Sequence, residues 1–83
     1  MLQLQLLGTL GCHLCDDAEQ VLLSSLDLNC VQVDIIDIAE SDALFERFGM
    51  RIPVLRHENS DSCLDWPFQG AEVAHFVQGL RAE

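Results

Sequence analysis

The sequence predicts one α/β domain in which a four-stranded mixed sheet carries three helices. The 83 residues suffice for a single domain, so residues 1–83 are treated as one unit. Apolar residues alternate with polar ones in some segments and recur every three or four residues in others. The resulting strands and helices follow the order β-α-β-α-β-β-α. Two strands joined by a helix are normally parallel, with a right-handed crossover.

The first half of the chain is predicted to form a strand, a helix and a second strand. Leucines alternate with glutamines over Leu2–Leu6, which is typical of a strand. After a loop at Gly8–Gly11, apolar residues take helical spacing from Leu14 to Ser25. Cys30–Ile36 is rich in β-branched residues and is predicted to be the second strand.

The next segment predicts a short helix followed by a hairpin. Leu44–Phe48 is the helix, and Gly49 is expected just beyond its end, as the C′ residue. A strand that contains a proline follows at Ile52–Leu55. The polar turn His57–Asp61 then leads to a fourth strand at Ser62–Trp66, antiparallel to the third.

An amphipathic helix completes the predicted fold. Its apolar residues Val73, Phe76, Val77 and Leu80 lie at helical spacing, and Arg81 lies in its last turn. The parallel pair and the hairpin together predict the strand order 2-1-3-4. Phe45, Phe48 and Phe76 are expected in the core. Trp66 and Phe68 either cap the core, which we favour, or line a groove for a partner.

Composition and charge exclude several classes of partner. The formal net charge is −10, from 14 acidic and 4 basic residues, which disfavours binding to nucleic acid and to anionic membranes. No run approaches the roughly 20 apolar residues of a membrane span. The segment Met1–Leu7 lacks the basic start and small-residue cleavage site of a secretory signal, so we expect a cytoplasmic protein.

The motif with the most specific chemistry is Cys12-His13-Leu14-Cys15, at the predicted junction of strand and helix. The free N–H groups and the dipole of a helix N-terminus stabilise a thiolate, which is the nucleophilic form of cysteine. A second cysteine three residues later lies one turn along the same helix face. We therefore expect Cys12 to be an exposed nucleophile and Cys15 a covered resolving thiol.

Alternatives to redox chemistry remain open at this stage. The pair Cys12 and Cys15 is also half of a zinc site, but zinc needs four ligands and a second pair of suitable spacing is absent. No metal site is therefore expected. Cys30 and Cys63 are predicted on opposite edges of the sheet, about three strand spacings apart, too far for a disulfide. Each is expected to be a packed or half-buried thiol.

Four segments carry a resemblance to a known family. They are Gly11-Cys12-His13-Leu14-Cys15-Asp16, Val33-Asp34-Ile35, Arg51-Ile52-Pro53-Val54-Leu55 and Trp66-Pro67-Phe68. In this order the chain resembles the glutaredoxin-like branch of the thioredoxin superfamily. More narrowly, it is similar to small bacterial glutaredoxin-like proteins with a Gly-Cys-His-Leu-Cys active site. The resemblance implies a thioredoxin-like, glutaredoxin-type fold.

The resemblance also implies where a substrate binds. The Ile52–Pro53 peptide bond is expected to be cis and to face the cysteine pair. The backbone of Ile52 would pair with an extended thiol substrate, while Pro53 would help to keep metals off the cysteines. His13 and Leu14 are expected to contact the substrate as well, and Arg51 to meet an anionic group on it.

The implied activity is thiol–disulfide exchange on a disulfide-containing protein or a small thiol, by a monomer that needs no cofactor beyond an electron donor. Ordinary glutaredoxins differ from this chain, which has Thr9-Leu10-Gly11 in place of an upstream basic residue. It also has Phe68–Glu72 in place of the Gly-Gly segment that holds glutathione. Glutathione is thus a possible reductant, and a protein thiol is an equally plausible partner. Two other classes remain open: a metal- or Fe–S-binding module that uses Cys12 and Cys15, and an interaction domain without chemistry.

Overall fold

The computed structural model describes residues 2–81. Met1, the start of the segment considered as a secretory signal, lies outside that range. The strands are β1 (Leu2–Gly8), β2 (Val31–Asp37), β3 (Val54–His57) and β4 (Ser62–Asp65). The helices are α1 (His13–Ser25), α2 (Asp42–Phe48) and α3 (Gly70–Arg81), and a short 3-10 turn spans Ile38–Glu40.

The sheet has the order β2-β1-β3-β4, which confirms the predicted topology. Strands β1 and β2 are parallel, and Leu6 lies opposite Ile35. Strand β3 is antiparallel to both β1 and β4, so the last two strands form the expected hairpin. Strand β2 therefore lies at one edge of the sheet and β4 at the other.

Alternation along β1 divides the core into two layers. Leu4 and Leu6 contact α1 and α3 on one face of the sheet, in a cluster that includes Ala18 and Val73. Leu7 points to the other face. There it packs with the second cluster, formed by Leu7, Ile38, Phe48 and Val54. Each layer buries one stripe of its helices, as alternation in strands and the helical repeat require.

Helix α2 begins at Asp42, two residues earlier than predicted, and ends at Phe48 as predicted. Ser41 caps it, since the Ser41 hydroxyl accepts a hydrogen bond from the Leu44 amide at 3.3 Å. Gly49 was expected just beyond the helix end as the C′ residue, but it is the C-cap itself and keeps right-handed helical backbone with a φ of −54°. A glycine fits here for another reason. A Cβ at Gly49 would lie 2.6 Å from the carbonyl oxygen of Phe45.

Two expectations about burial are also wrong. Phe45 is 59% exposed, because Leu44 and Phe48, four residues apart, occupy the face of α2 that packs on the sheet. Cys30 is exposed, because β2 starts one residue later and Cys30 belongs to the preceding turn. Cys63 is half-buried, as expected.

The aromatic pair after β4 belongs to the core, as predicted. Phe68 is 2% exposed, and the half-buried Trp66 packs edge-on against it with ring centroids 5.1 Å apart. Phe76 is partly buried against the same cluster. These side chains cover the face of the sheet where α3 packs.

Candidate active site

The cysteine motif forms the start of α1. Cys12 is the N-cap, and its sulfur accepts a hydrogen bond from the Cys15 amide at 3.2 Å. Gly11 precedes it with a φ of +77°, a left-handed conformation that glycine adopts without steric cost. The turn at Gly11 thus brings the chain from β1 into a helix whose first free N–H groups point at Cys12.

Cys12 and Cys15 form a disulfide, with their Cα atoms 5.2 Å apart. Both residues are half-buried, so the structure does not divide them into one exposed and one covered thiol as the sequence predicted. The two residues between them, His13 and Leu14, are exposed at the rim of the pair. These side chains are therefore accessible to a substrate that approaches the disulfide.

Gly8, the last residue of β1, packs directly against the disulfide. A Cβ at Gly8 would lie 2.8 Å from the Cys15 sulfur and 3.2 Å from the Cys15 Cβ. The sequence predicted a loop at Gly8 and no role for this glycine. The available signal was a glycine at the end of a strand shortly before a Cys-X-X-Cys motif.

The pairing of β1 with β3 places Pro53 at the same end of the sheet. Leu7, the residue before Gly8, lies opposite Val54, the residue after Pro53. Pro53 is buried and follows a cis peptide bond from Ile52. Ile52 is half-buried against the cluster that contains Leu7. The proline segment and the cysteine pair therefore lie at the same end of the sheet.

The Arg51 side chain already has partners within the protein. Its guanidinium donates two hydrogen bonds to the Asp65 carboxylate, at 2.8 and 3.2 Å, and lies 4.9 Å from the centroid of the Phe48 ring. The hydrogen bond that Arg51 donates to Asp65 raises the pKa of Arg51 above its ordinary value. An anionic substrate group at Arg51 would have to compete with Asp65.

Further properties of the described residues bear on the site. Across residues 2–81, no three His, Cys, Asp or Glu side chains are grouped so as to hold a metal ion. Within the same range, no helix has the length and apolarity needed to cross a membrane.

The sheet order, the helices on both faces and the Cys-X-X-Cys pair at a helix start define a domain of the thioredoxin-like fold. Residues 3–78 match the family described as Glutaredoxin-like domain (DUF836). The chain therefore belongs to the glutaredoxin-like family, as its motifs indicated.

Two solved structures are similar to this chain over nearly its whole length. One is the X-ray structure of the structural genomics target protein XcR50 from X. campestris, with 30% sequence identity and a TM-score of 0.79. That match covers 92% of this chain and 96% of the other. The other is the solution structure of the same target, with 30% identity, a TM-score of 0.76 and 92% coverage of each chain. No curated protein matches the chain.

Proposed function

We propose that the protein is a thiol–disulfide oxidoreductase in which Cys12 is the nucleophile and Cys15 the resolving thiol. In the reduced state, the Cys12 thiolate attacks one sulfur of a substrate disulfide, and the other substrate sulfur leaves as a thiolate that takes up a proton. Cys15 then attacks the Cys12 sulfur and releases the second substrate thiol. The Cys12–Cys15 disulfide that forms holds the two oxidising equivalents until an external thiol reduces it.

The observation that carries this proposal is the position of the pair at the first turn of α1. The Cys15 amide donates to the Cys12 sulfur, and the dipole of α1 favours negative charge there. With Cα atoms 5.2 Å apart, Cys15 can close the disulfide without a change in the backbone. Cys12 is the member of the pair that this cap stabilises as a thiolate.

We assign the substrate groove to the cis Ile52–Pro53 segment and to the exposed residues His13 and Leu14. The backbone of Ile52 would pair with the chain that carries the substrate sulfur. Because Arg51 already forms a salt bridge with Asp65, the Ile52–Pro53 segment has no unpaired positive charge from Arg51 to bind the carboxylates of glutathione. A disulfide-containing protein is therefore our preferred substrate, and glutathione is a possible electron donor to be tested.

The test is disulfide reduction by cysteine variants, with insulin or a small model disulfide as substrate. Cys12→Ser is preferred to Cys12→Ala, because serine preserves the N-cap of α1, whereas alanine costs roughly 1 kcal/mol of helix stability. Cys12→Ser is expected to abolish reduction, and Cys30→Ser, at an exposed thiol outside the motif, to leave it unchanged. Full activity of Cys12→Ser would overturn the proposal.

A trapping experiment separates the two cysteines and identifies the substrate. In a background of Cys30→Ser and Cys63→Ser, Cys15→Ala is expected to accumulate mixed disulfides at Cys12 because no thiol resolves them. Mass spectrometry then identifies the attached molecule. Recovery of glutathione alone would contradict the preference for a protein substrate, and an unmodified Cys12 would contradict its role as nucleophile.

A further inference from the structure

A groove runs from Cys15 along the side of α1 that faces strand β2. It consists of two adjoining hollows of about 220 and 140 Å³, which share Glu19 and Ile35. The first hollow contains Leu10 and Cys15, and the second contains Leu23 and Leu28. We call this feature the α1–β2 groove.

The α1–β2 groove is apolar and open to solvent because β2 is an edge strand. Ile35 lies opposite Leu6 in the register, yet Leu6 is 2% exposed and Ile35 is 60% exposed. Leu10, Leu23 and Leu28 are also more than half exposed, at 90%, 52% and 51%. Contiguous exposed apolar side chains of this kind are typical of an interaction surface.

Carboxylates line the α1–β2 groove next to these apolar groups. Asp16, Glu19 and Asp37 belong to the first hollow. Among the described residues that line either hollow there is no lysine or arginine. The groove therefore presents an apolar floor with a negative rim, which favours an apolar group that has a positive charge beside it.

The size and charge of the α1–β2 groove limit the kind of molecule that can bind in it. Neither hollow alone reaches the roughly 300–1,000 Å³ of an ordinary small-molecule site, and both are open to solvent, so the pair suits neighbouring side chains of a polypeptide better than an enclosed cofactor. A second copy of this chain would bring its own net charge of −10 against the acidic rim. A basic polypeptide fits both properties.

We propose that the α1–β2 groove binds the polypeptide of a protein substrate, taking an apolar side chain that is accompanied by lysine or arginine. This inference rests on the proposed function, because the groove begins at Cys15 and so lies beside the sulfur exchange. It goes beyond that function by naming the class of substrate: disulfides in apolar, basic segments react faster than those in acidic or purely polar segments.

Short peptides with a single cysteine, activated as mixed disulfides with thionitrobenzoate, test this preference. Attack by Cys12 attaches the peptide to Cys12 and releases coloured thionitrobenzoate. The reference peptide carries leucine and lysine beside its cysteine, and two matched peptides replace either lysine by glutamate or leucine by serine. The reference peptide is expected to react on the order of tenfold faster than either matched peptide at low salt. Equal rates for all three peptides would overturn the inference.

Matched variants test whether the peptide preference arises in the α1–β2 groove. Glu19→Lys is expected to abolish the discrimination between lysine and glutamate peptides, and Ile35→Ser the discrimination between leucine and serine peptides. Their controls lie on α2, where Glu46→Lys changes another exposed glutamate and Phe45→Ser another apolar side chain of similar exposure. If Ile35→Ser fails to fold, Leu10→Ser at a 90% exposed position takes its place. An equal loss of preference in the α2 controls would contradict the assignment to the groove.

Two further measurements distinguish the possible failures. The small disulfide 5,5′-dithiobis(2-nitrobenzoate) does not reach along the groove, so its Cys12-dependent reduction tests the proposed function alone. If this small disulfide were reduced normally while the three peptides reacted at equal rates, only the proposed role of the α1–β2 groove would be refuted. Sedimentation tests the other occupant: a dimer that Ile35→Ser converts to monomer would assign the groove to a second copy and overturn the proposal.

Discussion

At the scale of single residues, the contact between Gly8 and Cys15 couples the end of β1 to the disulfide. The space that a Cβ would need at Gly8 is taken by the Cys15 sulfur and Cβ. Gly8 is buried, so a methyl group at this position could not point into solvent. The fit of the second cysteine against the sheet therefore depends on the absence of a side chain at this position.

Replacing Gly8 is expected to destabilise the protein. Gly8→Ala should lower the free energy of unfolding by about 1–3 kcal/mol, the usual cost of adding a methyl group to a packed site. The control is Gly79→Ala, near the end of α3, where a Cβ would meet nothing within 4 Å. That change should raise stability by roughly 0.5–1 kcal/mol, since alanine favours helix. Urea unfolding measures both, and a Gly8→Ala protein as stable as wild type would refute the contact.

At the scale of elements, α2 is attached to the β3–β4 hairpin by an aromatic ring that three arginine side chains contact. The buried Phe48 ring has the guanidinium groups of Arg47, Arg51 and Arg56 within 4.8 to 5.7 Å of its centroid. Arg47 and Arg56 both donate to the carboxylate of Asp61, in the turn of the hairpin. The arrangement combines cation–π contacts with salt bridges across three elements.

A pair of alanine substitutions tests which side of α2 carries its stability. Phe48→Ala should cost about 3–5 kcal/mol of unfolding free energy, because it removes a fully buried ring and leaves a cavity. Phe45→Ala, three residues earlier and 59% exposed, should change it by no more than roughly 0.5 kcal/mol. Chemical denaturation of the two variants decides the point, and similar losses would contradict the described packing of α2.

The hairpin turn also predicts a response to acid. The hydrogen bond from Arg47, assisted by Arg56, lowers the pKa of Asp61 below its ordinary value. A carboxylate whose pKa is lower in the folded state stabilises the fold above its unfolded pKa of about 4. That contribution is lost as the pH falls through the folded pKa.

Asp61→Asn isolates this effect. Asp61 has a φ of +56°, and asparagine tolerates that left-handed conformation about as well as aspartate. The variant should be less stable than wild type at neutral pH, and the difference should shrink as the pH falls below about 4. Unfolding curves across this range measure the difference, and a gap that stays constant or widens in acid would refute the role of the charge.

At the scale of the whole molecule, charge is distributed unevenly. Arg47, Arg51 and Arg56 lie together around Phe48 and are paired with Asp61 and Asp65. They are three of the four basic residues in a chain of net charge −10. The opposite helical layer, which contains α1 and its groove, therefore keeps an excess of carboxylates. This asymmetry favours a basic partner on the α1 side.

The net charge predicts a dependence on salt. The longest extent of the molecule is 31 Å, close to the Debye length of about 30 Å at 0.01 M ionic strength. At about 0.1 M this length falls to roughly 10 Å, so repulsion across the molecule is screened. The free energy of unfolding should therefore rise between these two NaCl concentrations. A decrease would mean that the exposed Arg–Asp pairs outweigh the repulsion.

The sequence by itself determined the order of elements, the sheet topology and the position of Cys12 and Cys15 at the start of α1. Periodicity and capping are local, so they can be read without knowledge of contacts. Only the tertiary structure decided that Gly8 contacts Cys15, that Arg51 forms a salt bridge with Asp65 and that Phe45 faces solvent. Each of these depends on which distant segments meet and which edges stay uncovered, and the spacing of residues along the chain does not encode that.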